Sequence, residues 1–125
     1  MYDLILASES PRRKRILSDA GFTFDTFPVK VSEIPGKNLN VDNKIIAISR
    51  EKSQAAWTRL LPMKSKPFIL LTADTEVVTN GELLGKPLDL RHGVEMLGRL
   101  SGRIHLVKTA LCLVESIQGK EVVHV

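Results

Sequence analysis

Leu4-Ile5-Leu6-Ala7-Ser8-Glu9-Ser10-Pro11-Arg12-Arg13-Lys14-Arg15-Ile16-Leu17 decides the reading of this chain. The stretch opens as a short apolar strand, passes through a hydroxyl-bearing loop, and starts a helix crowded with cations. Ser10 suits the N-cap, and Pro11 suits the first helical position, where no amide donor is required. Arg12, Arg13, Lys14 and Arg15 then fall in the first turn or so, at the positive end of the helix dipole. Each charge is unfavourable there by roughly 0.3–1 kcal/mol. A bound polyanion reverses that sign. Free backbone amides, the hydroxyls of Ser8 and Ser10, and forked guanidiniums together compose a phosphate-shaped site. A solvated basic helix start, or a localisation-type basic run, is the plainer reading. Arg13 argues against both, because it shares the i, i+3, i+4, i+7 stripe of Ile16, Leu17 and Ala20 and is expected on the inward side of the helix.

Outward from this stretch, Tyr2–Ala7 reads as the first strand and Pro11–Ala20 as the helix, with Gly21 as its stop. Phe22–Val31 alternates and reads as a second strand or extended segment, disturbed by Pro28. A loop over 32–40 carries Pro35-Gly36. The next helix runs from about Val41 to Leu61, capped by Asn40 or Asp42 and ended by Pro62. Pro67–Ala73 is a continuous apolar run, as expected of a strand buried on both faces. Thr75–Thr79 and Glu82–Leu84 flank Asn80-Gly81, a strong hairpin signal. Asp89 can cap a third helix through Leu100, with Leu90, Gly93, Val94, Leu97 and Leu100 expected inward. Arg103–Val114 reads as a long strand, and Gln118-Gly119 turns into a last strand, Lys120–Val125. This order argues an α/β or mixed α+β sheet in one domain spanning 1–125, without repeats, low-complexity segments or linkers. The last strand runs to the final residue, which reads as a true sheet edge or as a fragment or truncated product.

The 125 residues are 43% hydrophobic and 26% charged, which excludes a disordered chain. No apolar run approaches the roughly 20 residues that span a membrane, and no signal peptide precedes the first strand. The single cysteine, Cys112, lies in the apolar run 109–114 and reads as a buried small hydrophobe, consistent with a reducing compartment. No Cys/His constellation suggests zinc. The formal net charge of +4 is concentrated near residues 12–15, and only 5% of residues are aromatic. A small anionic ligand explains that local cluster better than a long nucleic acid does.

Other residues look chemical. Asp74 follows directly on the apolar strand, and ligands in α/β sheets gather at the carboxyl ends of strands, where the first strand also delivers Ser8 and Ser10. A carboxylate there can hold a divalent cation or orient a water, although a strand-end carboxylate also commonly caps a turn. Thr75, next to it, could contact a ligand. Lys52 is a sharper anomaly, because Val41, Ile45, Ile48, Ala55 and Ala56 form one helical face with Lys52 near its middle. An ammonium there must snorkel or meet an anion. Glu33 alone is an ordinary loop glutamate, and Lys86 in Gly85-Lys86-Pro87 an ordinary loop lysine. His105 reads as a half-buried strand histidine. No serine–histidine–carboxylate arrangement can be argued, so Ser8 and Ser10 suit phosphate donors rather than nucleophiles.

These pieces occur together in one family. Leu-Ala-Ser-x-Ser-Pro-Arg-Arg, here Leu6 to Arg13, resembles the signature of the Maf nucleotide pyrophosphatases. Glu33, Arg50-Glu51-Lys52, Ala73-Asp74-Thr75, Gly85-Lys86-Pro87, and Leu100-Ser101-Gly102 with His105 and Thr109 follow in the family's order. The resemblance implies an α/β, Maf-like (inosine-triphosphatase-like) fold, a mixed twisted sheet flanked by helices. It also implies a cytoplasmic, commonly dimeric hydrolase that needs a divalent metal, Mg²⁺ or Mn²⁺, and cleaves a nucleoside triphosphate to the monophosphate and pyrophosphate. Carried over, Asp74 is the catalytic base. Ser8, Ser10, Arg12, Arg13, Lys52 and Lys86 bind substrate phosphates, and Glu33 with Asp74 holds the metal. Arg12 and Thr75 resemble the dTTP/UTP subgroup, whereas the 7-methyl-GTP subgroup tends to carry tryptophan and glutamine at these places.

Family members continue through a segment with an Ala-Gly-x-Tyr-x-Ile-Gln pattern, whose glutamine helps select the base. This chain stops before it, so the expected fold lacks the family's C-terminal part. Three other readings stand beside this one: the same chemistry on 7-methyl-GTP or another modified nucleotide, a non-catalytic nucleotide-binding or division-linked regulatory module, and a basic nucleic-acid binder.

Overall fold

The computed structural model describes residues 2–31 and 39–125. Among them the strands are β1 (Asp3–Leu6), β2 (Asp25–Thr26), β3 (Phe68–Thr79), β4 (Glu82–Leu83), β5 (Leu106–Glu115) and β6 (Glu121–His124). The helices are α1 (Pro11–Asp19), α2 (Val41–Leu60) and α3 (Leu90–Leu100). The expected mixed α/β sheet is present. Its order is β2-β1-β3-β5-β6, with β4 paired to the far end of β3. β2, β1 and β3 run parallel, and β3, β5 and β6 are antiparallel neighbours.

Strand parity explains what α2 covers. Phe68, Leu70, Thr72 and Asp74 share one face of β3, and their direct partners on β5 share it with them, including Ala110, Cys112 and Val114. Helix α2 packs across both strands on this face, through Ile45, Ile48, Ala56 and Leu60. The Thr72 hydroxyl donates to the Ser49 carbonyl on α2 at 3.1 Å. Trp57 of α2 meets the Phe68 ring at 5.6 Å between centroids, tilted by 51°. Each such side chain, fully removed from water, contributes about 1.5–3 kcal/mol. Cys112 is buried here as expected, and burial pushes its thiol pKa up.

The opposite face of the sheet is less covered, which corrects one expectation. Ile69 and Leu71 are only half-buried, so β3 is not a strand enclosed on both sides. A second correction concerns its length. β3 does not stop at Ala73, because β5 pairs with it without interruption from Ile69 to Val78 and carries it on to the hairpin. Asn80 and Gly81 turn that hairpin with φ of 51° and 73°, the doubly left-handed geometry that Asn-Gly tolerates.

The caps fall where the sequence puts them. Ser10 Oγ accepts from the Arg13 amide, Asn40 Oδ1 from the Asn43 amide, and Asp89 Oδ1 from the His92 amide. The 22–31 segment holds only the two-residue β2, since Pro28 has no amide donor to extend a ladder. β5 starts at Leu106, leaving His105 exposed ahead of the strand rather than half-buried within it. Glu115 organises the β5–β6 turn. Burial pushes its carboxyl pKa up, but the amides of Lys120, Gln118 and Ile117 and the Tyr2 hydroxyl outweigh that and hold it below the ordinary range.

Two amphipathic expectations fail. No residue of α1 is buried, and Ile16 on its apolar stripe is 66% exposed. No residue of α3 is buried either: Leu90, Val94 and Leu97 are exposed, and only Gly93, Met96 and Leu100 are partly covered on that side. The pattern is that of an amphipathic helix, but the face lines an open groove with Val77, Leu84 and Pro87 rather than packing closed against the sheet. An exposed Arg99–Glu82 ion pair at 3.0 Å ties α3 to β4.

Candidate active site

The site grows from a mismatch in strand length. β1 runs beside β3 only as far as Leu71, and the Ala7 amide, donating to the Leu71 carbonyl, closes that ladder. β3 runs on, so Asp74 and Thr75 lie beyond the end of β1. Successive strand residues project to opposite faces. Asp74 therefore faces α2, and Thr75 faces the other side. The chain leaving β1 turns through Ser8 and Ser10, with the Ser10 amide donating to Ser8 Oγ at 3.0 Å. Pro11 then opens α1, and the cap on Ser10 aims Arg13 back over the strand ends.

Arg13 is held at both ends of its fork. Nη1 donates to Ser8 Oγ at 3.4 Å, and Nη2 donates to Thr75 Oγ1 at 3.0 Å. From the other face Lys52 of α2 reaches Asp74, with Nζ 3.2 Å from Oδ1. Their side chains are 14% and 4% exposed, so the lysine in the middle of the apolar face has met its anion. The two cations thus approach the gap beyond β1 from opposite sides.

An open cleft of about 470 Å³ occupies that gap, lined by Ser8, Ser10, Arg13, Lys52 and Lys86 among others. Lys30 joins them and was not singled out from sequence; its signal, a lysine on the extended chain after Pro28, is too common to select it. Among the described residues, Glu9 is the one carboxylate on the lining, against four cations. A concave lining in which one sign of charge predominates concentrates ions of the other. Arg12 is exposed and outside the lining, as expected of a helical neighbour turned about a quarter-circle from Arg13. Glu33 lies outside the described residues. His105 takes no part in the lining.

Asp74 lies behind Lys52 rather than on the cleft wall. Its Oδ2 is buried without a hydrogen-bond partner among the described residues. A buried carboxylate oxygen left unsatisfied is costly and rare. It suits a water or a hard cation. No cluster of three metal-ligating side chains occurs among the described residues. That donor set fits a Mg²⁺-like ion, which is commonly bound by one or two carboxylates with water and substrate phosphates completing the shell.

The chain matches the sequence model of the Maf-like proteins over residues 3–125. It belongs to the Maf-like family. This Maf-like chain is 59% identical over 119 residues to the dTTP/UTP pyrophosphatase of Bdellovibrio bacteriovorus, covering 95% of the chain and 62% of that protein. It is 44% identical over 111 residues to the dTTP/UTP pyrophosphatase of Chlorobaculum parvum, covering 88% and 55% respectively. The corresponding values for the Escherichia coli K12 protein of the same name are 37% over 116 residues, 93% and 57%. The chain therefore spans a little over half the length of these curated relatives. A solved nucleoside-triphosphatase, the dITP/XTP pyrophosphatase of Mycobacterium abscessus, aligns with 98% of this chain and 69% of its own at 15% identity and a TM-score of 0.48.

Proposed function

We propose that this Maf-like chain binds a nucleoside triphosphate, dTTP or UTP, through its phosphates in the cleft and hydrolyses it to the monophosphate and pyrophosphate. The observation that carries this reading is the join between a cation-rich cleft and one buried carboxylate: Lys52 lines the cleft and pairs with Asp74 behind it. The names of the relatives supply the choice of base, and Arg12 and Thr75 are the specificity positions that the family resemblance implies.

The reaction sets the demands. A water oxygen bonds to the α-phosphorus, the bond from that phosphorus to the bridging oxygen breaks, and pyrophosphate leaves with the electron pair. Charge builds on the non-bridging and leaving oxygens. Arg13, held by Ser8 and Thr75, and Lys52, held by Asp74, answer it with donors that need little reorganisation, and Lys30 and Lys86 add positive charge on the lining. Ser8 and Ser10 add hydroxyls, and the first amides of α1 add their dipole. Asp74 orients the water and takes its proton. The Lys52 ammonium, bonded to Asp74 Oδ1, holds that carboxylate in place and leaves Oδ2 as the acceptor. A Mg²⁺ or Mn²⁺ ion would be held by Asp74, with Glu33 as the second expected carboxylate, and would supply further neutralisation of phosphate charge.

The test offers the purified chain Mg²⁺ with dTTP, UTP, CTP, GTP and 7-methyl-GTP, and measures pyrophosphate against orthophosphate. Pyrophosphate from dTTP and UTP is expected, lost on chelation and restored by Mg²⁺. Asp74→Asn should lower turnover by about 10²–10⁴-fold while retaining triphosphate binding. Undiminished turnover in that variant removes Asp74 from the mechanism, and release of orthophosphate overturns the reaction.

A further inference from the structure

Thr109 stands directly opposite Thr75 in the β3–β5 register. Its Oγ1 lies 2.9 Å from Thr75 Oγ1, and Thr75 Oγ1 in turn accepts from Arg13 Nη2. Neither threonine lines the cleft, and Arg13, which they hold, does. We propose that Thr109 is a positioning residue: by holding the Thr75 hydroxyl, it fixes the Arg13 guanidinium in the orientation that grips a polyphosphate. This inference rests on the cleft being a polyphosphate site.

A guanidinium only donates, so Thr75 Oγ1 must accept from Arg13. The Thr75–Thr109 contact then has two arrangements. In one, Thr75 gives its hydrogen to Thr109 and turns its lone pairs to Arg13. In the other, Thr109 donates to Thr75, both acceptor sites of Thr75 are used, and the Thr75 hydrogen is left for another acceptor. Each arrangement requires the Thr109 hydroxyl. Without it, Thr75 Oγ1 still accepts from Arg13 Nη2, but no described side chain fixes the rotation of the Thr75 hydroxyl, so the 3.0 Å anchor at that end of the fork is loosened while the 3.4 Å contact to Ser8 remains at the other. Arginine carries much rotamer entropy, so a guanidinium held before the ligand arrives costs less to order on binding.

A purely structural threonine pair makes a different prediction. Cross-strand pairs support the sheet without regard to ligand. The experiment therefore reads affinity and coupling together. Isothermal titration of inorganic triphosphate into the full 125-residue chain compares the parent with Thr109→Val, Thr109→Ser, Thr75→Val and the Thr75→Val/Thr109→Val double variant. Arg13→Ala serves as the reference for loss of the site. Thr109→Val should weaken triphosphate binding by about three- to tenfold, the size of one net hydrogen bond. Thr109→Ser should bind within about twofold of the parent, because it restores the hydroxyl. In the Thr75→Val background, Thr109→Val should add no further loss, since its effect passes through Thr75.

Valine keeps the β-branched shape at an exposed strand position, and circular dichroism checks the fold. Thr109→Ala substitutes for it if valine disturbs the sheet. Parent-like binding by Thr109→Val, with Arg13→Ala still defective, overturns the positioning role and leaves the cleft reading intact. A loss that persists in full without the Thr75 hydroxyl overturns it as well. Absence of triphosphate binding by the parent overturns both readings together.

Discussion

Helices α2 and α3 make the informative contrast in this molecule. Both are capped by an Asx residue, and both carry an apolar stripe. α2 buries Ile45, Ile48, Ala56 and Leu60 against the sheet. α3 has the cleaner stripe in sequence, yet none of its residues is buried and Leu90 is 86% exposed. The difference is register with the sheet. α2 lies over β3 and β5, whose alternating residues offer it Phe68, Leu70, Ala110, Cys112 and Val114, with Thr72 hydrogen-bonded to the helix and Asp74 paired with Lys52. α3 follows the hairpin and is joined to it by an exposed ion pair, a contact worth at most about 1 kcal/mol. Periodicity says that a helix has an inward face, but not what will cover it.

The largest effect that should separate the two helices is a core truncation. Ile48→Ala in α2 is expected to cost about 2–5 kcal/mol, through lost transfer energy and the cavity left behind. Urea unfolding followed by circular dichroism reads it. A cost near zero would mean that α2 does not hold the sheet and that the contrast is false.

The caps provide a smaller and sharper test. Asn40→Ala removes an acceptor at 2.9 Å from the Asn43 amide, and Asp89→Ala removes one at 2.7 Å from the His92 amide. Each costs its own helix about 1 kcal/mol. In α2 that cost should appear in global unfolding, because α2 unfolds with the core. In α3 it should appear as local fraying, seen as faster amide exchange over 90–100 with the global midpoint nearly unchanged. Equal shifts in the global midpoint would show that α3 belongs to the same cooperative unit. His92 strengthens the second cap: its Nδ1 accepts from the Leu88 amide at 2.9 Å, a reciprocal arrangement that a lone histidine in sequence does not announce.

The site was more legible than the packing. Ser10 and Pro11 mark a helix start by local chemistry, and the cap they form is what turns Arg13 toward the strand end. Lys52 was readable as a charge on an apolar face, because an unpaired ammonium cannot stay there. Its partner followed only from strand parity, once β3 was seen to continue past Ala73 and keep Asp74 on the α2 side. Lys30 carries no such signal, and Thr109 only its place in the family's order. A lysine in an extended segment and a threonine in a strand are ordinary, and the meaning of Thr109 comes from cross-strand register, which the order of residues along the chain does not contain. The coverage of α1 and α3 was misread for the same reason: their stripes are local, and what meets a stripe is tertiary.

The smallest expected effect is the one that can break the contrast. Leu97→Ser on α3 replaces a leucine that is 68% exposed. An exposed side chain contributes little to folding, so the change should stay within about 0.5 kcal/mol, with a slight gain in solubility. Leu90, Val94 and Leu97 together expose apolar surface along one side of a helix, and surface of that kind is removed from water by association whenever a complementary face is present. If α3 is bare in solution, Leu97→Ser leaves the unfolding midpoint and the sedimentation coefficient unchanged from micromolar to hundreds of micromolar protein. If a second copy covers it, the parent gains stability with concentration by mass action and the variant does not. A concentration-dependent difference between the two would place α3 with α2 as a helix whose stripe is buried, differing only in that its cover comes from another molecule.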